Sequence, residues 1–202
     1  MFTLRILKTT PFYNGKPKKE TMTSLIIQVL YFLFPVAIAN MMPVLVRPYF
    51  RRLNYPLDHH KTIFGKRILG TNKTFRGLAF GIIGGIVASF IQQLLMRFPF
   101  FHTISFVPYD QINILAYGFL LGLGVIVGDA TGSFVKRMNN IKPGDSFMPM
   151  DQIVAPIGAM LFILPLYKVS LKIFLVAIFI SFFAHIIIKY IGYVLKIDRR
   201  KW

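Results

Sequence analysis

Five long apolar stretches dominate the chain, at about Leu25 to Val46, Gly77 to Met96, Ile112 to Phe134, Ile153 to Tyr167 and Leu171 to Leu195. Most approach the roughly 20 residues that a helix needs to cross about 30 Å of hydrocarbon. The pattern predicts an all-α integral membrane protein of about five transmembrane helices, joined by two functional cytoplasmic loops. The first stretch contains Pro35 and closes on Asn40 and Pro43, so its helix is expected to kink or unwind near one end. The fourth is short and holds Pro156 and Pro165, which fits a tilted, broken or re-entrant segment. Phe98 to Tyr109 is too short to span and rich in Phe, which fits an interfacial segment.

Composition agrees with this class. The 202 residues are 55% apolar and 15% charged, where a soluble domain carries about 25% charged residues. The chain has no cysteine, which excludes disulfides, cysteine-held zinc, iron–sulfur clusters and a thiol nucleophile. Its net charge of +17 reports topology and contact with anionic headgroups rather than nucleic acid. The loop 47–76, the segment after the third span and the C-terminal tail together hold fifteen Lys and Arg, against eight on the other side. The positive-inside rule therefore places the large loops and the C-terminus in the cytoplasm of a multi-pass cell-membrane protein. Residues 1–21 form a polar tail before a single membrane domain, 22–202, and Met22 is a candidate alternative start. Gly77, Gly81 and Gly85, then Gly118 and Gly122, then Gly124, Gly128 and Gly132, each recur on one helical face, where a second backbone can approach closely.

The seven acidic residues are scarce enough for each position to carry information. Asp129 follows the apolar run GFLLGLGVIVG, a place where a carboxylate is costly unless paired or metal-bound. If the helix continues, Asp129, Ser133 and Lys136 share a face with Arg137 beside them, a stripe suited to phosphate chemistry or to an internal ion pair. Asp151 begins the fourth apolar stretch, so a short hairpin could return it toward Asp129 as a second carboxylate of a divalent-metal site. Asp145, in Pro-Gly-Asp-Ser, serves either this site or a turn. The segment GKRILGTNKTFRG concentrates Lys66, Arg67, Asn72, Lys73, Thr74 and Arg76 among three glycines, which is either a phosphate cradle or a basic membrane anchor. His59 and His60 lack metal spacing, and His185 inside the last stretch reads as a packed residue more readily than a ligand.

These words resemble the CDP-archaeol synthase family, membrane cytidylyltransferases related to CDP-diacylglycerol synthases. The resemblance rests on ANMMPVL (Ala39 to Leu45), PLD (Pro56 to Asp58), GKRILGTNKTFRG, GDATGSFVKR (Gly128 to Arg137) and the pair Asp151, Gln152, in the family's order and spacing. It implies five transmembrane helices, dependence on Mg²⁺, and transfer of CMP from CTP to a lipid phosphate with release of pyrophosphate. It also implies that Asp129 and Asp151 are metal ligands and, with Lys73 and Lys136, catalytic. Ser133, Lys136 and Arg137 would belong to the nucleotide or lipid phosphate site, and Asn72, Lys73, Thr74 and Arg76 to the triphosphate-facing cluster. His59 and His60 stand where family members more often have small residues, and residues 1–21 have no counterpart. The implied partners are CTP, a lipid phosphate of the 2,3-di-O-geranylgeranylglyceryl phosphate type and the membrane, with no nucleic acid. Phosphatidic acid as acceptor, and a small non-enzymatic transporter, are the alternatives.

Overall fold

The computed structural model describes residues 12–13, 16–17, 21–142 and 145–194. Most of the N-terminal tail, Pro143 and Gly144 of the expected turn, and the basic C-terminal residues lie outside the described residues. Two short strands, β1 (Phe12–Tyr13) and β2 (Lys16–Pro17), pair antiparallel. Helix α1 (Met22–Leu45) then runs through both Pro35 and Pro43, its N-terminus capped by Thr21 Oγ1, which accepts from the Ser24 amide at 3.2 Å. A polar loop follows, holding a 3₁₀ turn at Arg51–Leu53 and a hairpin of β3 (Thr62–Ile63) and β4 (Lys66–Arg67). Helix α2 (Phe75–Leu95), the short α3 (Pro99–Ile104), α4 (Ile114–Met138), α5 (Met150–Phe162) and α6 (Leu171–Val194) complete the chain.

Helices α1, α2, α4 and α6 are long and apolar enough to cross a membrane. The fourth apolar stretch folds as a shorter helix, the 13 residues of α5. At 1.5 Å per residue this covers only about 20 Å, as its prolines and length foretold. The interfacial stretch 98–109 contains α3, with Pro99 at its first turn.

Helix α4 occupies the centre, packed most extensively against α2 and α5. Two glycine faces make this possible. On one, a Cβ added to Gly85 of α2 would lie 2.6 Å from the Gly118 carbonyl oxygen and 2.8 Å from Gly122 Cα. On the other, Gly124 and Gly158 of α5 abut one another's carbonyl oxygens, and Gly128 abuts that of Val154. In lipid no hydrophobic force draws apolar helices together, so close backbone contact carries the association. The consequence is positional: the end of α4 bearing Asp129 to Arg137 is held between the start of α2 and the start of α5. The opposite end is closed by Tyr109 and Tyr117, both fully buried, by Phe106 packed on Phe32 at 5.0 Å, and by Gln93 donating to the Tyr109 carbonyl at 2.9 Å.

Gly85→Ala should therefore cost about 1–3 kcal/mol, since only backbone could yield to the new methyl group. Gly77→Ala should be nearly neutral, because its Cβ would meet Pro43 Cβ at an ordinary 3.6 Å. Thermal unfolding of the two variants in detergent checks this; equal midpoints would contradict the packing described.

Candidate active site

The polar loop is organised by Asp58, a residue that the sequence pattern left without a role. The residue is 6% exposed, and its carboxylate accepts from Arg67 Nη2 at 2.6 Å and from the amides of His60, Leu69 and Gly70 at 3.0–3.1 Å. Burial alone pushes this carboxyl up. The Arg67 guanidinium and the Leu69, Gly70 and His60 amides outweigh that and hold it at about 2, below its ordinary 3.8. Gly70 sits at φ +85°, a left-handed conformation that glycine adopts freely, and this lets its amide turn toward Asp58.

Lys66 donates to the Met138 carbonyl at 2.8 Å and so ties the hairpin to the end of α4. Lys66 and Arg67, expected in a phosphate cradle, line neither of the cavities described below. Their charges are taken up by a carbonyl and by Asp58 instead, and they build the loop that carries Thr71 to Lys73.

That segment is fixed from its other side by the bridge Pro56–Thr74, by Leu57 donating to the Lys73 carbonyl at 2.8 Å, and by Phe75 donating to the Tyr55 carbonyl at 3.0 Å. Thr74 caps α2, its Oγ1 accepting from the Gly77 amide at 3.2 Å. Arg76 is buried and donates to the carbonyls of Arg47 and Tyr49 at 2.9 and 3.1 Å and to Asn54 Oδ1 at 3.0 Å. Within the triphosphate-facing cluster expected from the sequence, Thr74 and Arg76 thus make local structural bonds, while Lys73 reaches across to α4.

Two crossed ion pairs form the centre. Lys73 Nζ donates to Asp129 Oδ2, and Lys136 Nζ donates to both oxygens of Asp151 at 2.9–3.0 Å, with the Phe147 amide on Asp151 Oδ2 at 2.9 Å. The Asp129 carboxylate keeps 39% exposure. Asp151 lies in the first turn of α5, where the helix dipole favours a negative charge.

Around these pairs lie two adjoining cavities. The larger, of about 760 Å³, is lined by Arg47, Arg51, Asn72, Lys73, Thr74, Arg76 and Asp129, among others. The smaller, of about 260 Å³, is lined by Asn72, Lys73, Asp129, Ser133, Lys136, Arg137, Asp145 and Asp151, with His185 and Lys189 from α6. Asn40, Thr71, Asn72, Lys73 and Asp129 border both.

The structure thus gathers eight of the ten anticipated phosphate-binding residues and both anticipated metal-binding carboxylates. It adds Asn40, Arg47, Arg51, Thr71 and Lys189. A polar Asn40 near the end of an apolar span was the available sign for the first of these, and a lone cation in a span for the last. His185 also borders the smaller cavity. His59 and His60 are exposed, with His59 packed edge-on against Tyr55 at 5.3 Å and Phe75 at 5.5 Å. No group of three or more His, Asp or Glu suited to a metal occurs among the described residues.

Comparison with known proteins accounts for this architecture. The family model described as CarS-like, CDP-archaeol synthase, matches residues 22–202. The chain belongs to the CDP-archaeol synthase family. A CDP-archaeol synthase from Archaeoglobus fulgidus is 33% identical over 187 residues, covering 90% of this chain and all of its own. One from Methanocaldococcus jannaschii is 33% identical, covering 73% of this chain and 83% of its own. Among solved structures, one described as an intramembrane enzyme for archaeal membrane lipids biosynthesis superposes with a TM-score of 0.64 at 25% identity, covering 79% of this chain and 91% of that one. Every cavity-lining residue named above lies within the family match.

Asp58 gives a pH prediction. A carboxyl depressed from 3.8 to about 2 contributes stability that is present above pH 4 and is lost as pH falls from about 4 to 2. Its size is on the order of 2 kcal/mol. Asp58→Asn should lower stability at pH 7 by about that amount and flatten the acid limb of the unfolding curve. An unchanged limb would contradict the role given to Asp58.

Proposed function

We propose that this member of the CDP-archaeol synthase family transfers CMP from CTP to a glycerol-based ether-lipid phosphate of the 2,3-di-O-geranylgeranylglyceryl phosphate type, giving a CDP-lipid and pyrophosphate. The observation that carries the reading is the pair of cavities meeting at Lys73 and Asp129. A two-substrate transfer needs both substrates held side by side in reacting geometry, and the boundary that the two cavities share bears a carboxylate and a cation.

In the reaction a phosphate oxygen of the lipid attacks the α-phosphorus of CTP, the bond to the β-phosphate bridging oxygen breaks, and pyrophosphate leaves with the electron pair. A phosphate monoester is mostly dianionic at pH 7, its second pKa being about 6, so no strong general base is needed. Asp129 and Asp151 are the residues that would hold Mg²⁺. Both face the smaller cavity, and each already faces a cationic group in the form of a lysine, which fits a site built around positive charge. When bound there, Mg²⁺ supplies neutralisation of phosphate charge. Lys73 and Lys136, released from the carboxylates, turn to the phosphate oxygens. Asn72, Ser133, Arg137 and Asp145 orient the substrates from the cavity walls, and the Arg47 and Arg51 side chains add positive charge to the larger cavity.

The unit that performs this is residues 22–202, embedded in the cell membrane with its polar loops and C-terminus on the cytoplasmic side. The excess of loop cations supports that side, as does the supply of CTP there. Transport is the weaker reading, because the polar residues gather with the loops at one end of the bundle rather than in paired broken helices at mid-depth.

The test is pyrophosphate release by the purified protein in detergent with CTP and Mg²⁺, offering either the unsaturated ether-lipid phosphate or phosphatidic acid. Turnover with the ether lipid is expected. Asp129→Asn and Asp151→Asn should each lower kcat by at least about a hundredfold, in line with loss of a preorganised charge. Turnover with phosphatidic acid alone would replace the acceptor, and silence with both would overturn the reading.

A further inference from the structure

His185 and Lys189 stand one turn apart on α6, and both border the smaller cavity. Helix α6 is also the spanning helix least covered by the rest of the protein. Leu175, Phe179, Phe183 and Ile187, spaced by four residues, lie open along one of its sides. A cation on such a helix is costly unless an opposite charge meets it. Lys189 makes no ion pair among the described residues. In the same cavity Lys73 and Lys136 are engaged by Asp129 and Asp151, whereas Arg137 keeps its Nε buried with no hydrogen-bond partner. The cavity thus holds a lysine that makes no ion pair among the described residues, beside the Arg137 side chain.

We infer that the smaller cavity seats the phosphate monoester of the acceptor lipid, with Lys189 as its receptor, assisted by His185 and by Arg137 of α4. The inference rests on the cytidylyltransferase reading and divides the two chambers between the two substrates. Charge supports the division. The larger cavity sets Arg47, Arg51, Lys73 and Arg76 against Asp129 alone, which suits the more highly charged triphosphate. The smaller sets four cations against three carboxylates, which suits a monoester.

Size and surroundings agree. A cavity of about 760 Å³ is of the class that encloses a whole small molecule. One of about 260 Å³ has room for a headgroup whose chains stay in the bilayer. Helix α6 stands between that cavity, lined by His185 and Lys189, and the hydrocarbon, which Leu175, Phe179, Phe183 and Ile187 meet on its opposite side, so a lipid would reach Lys189 past the edge of α6 with its chains left in the bilayer. The shared wall at Asn72, Lys73 and Asp129 then puts the attacking oxygen beside the α-phosphorus of the nucleotide in the next chamber, as in-line transfer requires.

The test separates the two substrates kinetically in the purified full chain. Lys189→Met should raise the KM for the lipid phosphate by about tenfold or more, the loss expected for one charged hydrogen bond, and leave the KM for CTP within about twofold. Lys189→Arg should restore most of the lipid KM, and His185→Asn should raise it by a smaller factor. An unchanged lipid KM in Lys189→Met, or a CTP KM that rises in proportion, overturns the assignment.

Binding of a short-chain glycerol-lipid phosphate without CTP, followed by thermophoresis, answers the question even if no turnover occurs. Weaker binding to Lys189→Met than to the unsubstituted protein supports the receptor role whatever becomes of the transferase reading. Equal binding to both, or no binding to the unsubstituted protein, overturns it. A thermal midpoint for Lys189→Met matching that of the unsubstituted protein ties the binding loss to the missing ammonium group and not to misfolding; where that midpoint is lowered, weak lipid binding by a folded Lys189→Arg would make the lysine structural and overturn the role.

Discussion

Everything in this molecule depends on how closely α4 can approach its two neighbours. A helix in lipid gains nothing from hiding apolar side chains against other apolar side chains. Backbone contact, made where glycine removes the side chain, is what holds α2, α4 and α5 together. The two glycine faces of α4 look in different directions, one toward Gly85 and one toward Gly158, so α4 is clamped from both. At its polar end it is flanked by the start of α2 and the start of α5, and both cavities lie there.

At that end charge is distributed by a simple economy. Each of Asp58, Asp129 and Asp151 is matched by a cation from a different part of the chain: Arg67 from the hairpin, Lys73 from the approach to α2, and Lys136 from α4. The first pair is buried and structural, and it holds the loop that delivers Lys73. The other two border the cavities. On the proposed mechanism these pairs balance each carboxylate until substrate arrives, and Lys73 and Lys136 then change partners.

The spans were legible because hydrophobic length is a direct physical requirement of the bilayer, and α1, α2, α4 and α6 begin and end close to the apolar stretches. The glycine faces were legible for a similar reason, since spacing by four fixes a side of a helix. Asp129 and Asp151 stood out because carboxylates are so rare in this chain. The loop was harder to read. Lys66, Arg67, Thr74 and Arg76 carry the residue types of a phosphate cradle, yet carbonyls and Asp58 take the donors of Lys66, Arg67 and Arg76, and Thr74 accepts a helix-cap bond. Composition holds no record of which partner wins. Asn40 and Lys189 showed only as polar residues in apolar spans, and it is the packing of α1 and α6 that sets them and His185 beside the cavities.

The central claim is that a nucleotide in one chamber gives its α-phosphoryl group, with the nucleoside attached, to a lipid in the other. The most direct measurement follows the label from CTP carrying radioactive phosphorus at either the α or the γ position, after incubation with the protein, Mg²⁺ and the ether-lipid phosphate. The account predicts that α-label moves into the organic phase in step with lipid consumed, while γ-label stays in water as pyrophosphate. Label from the γ position in the lipid, or α-label confined to the aqueous phase while CTP is consumed, would contradict it.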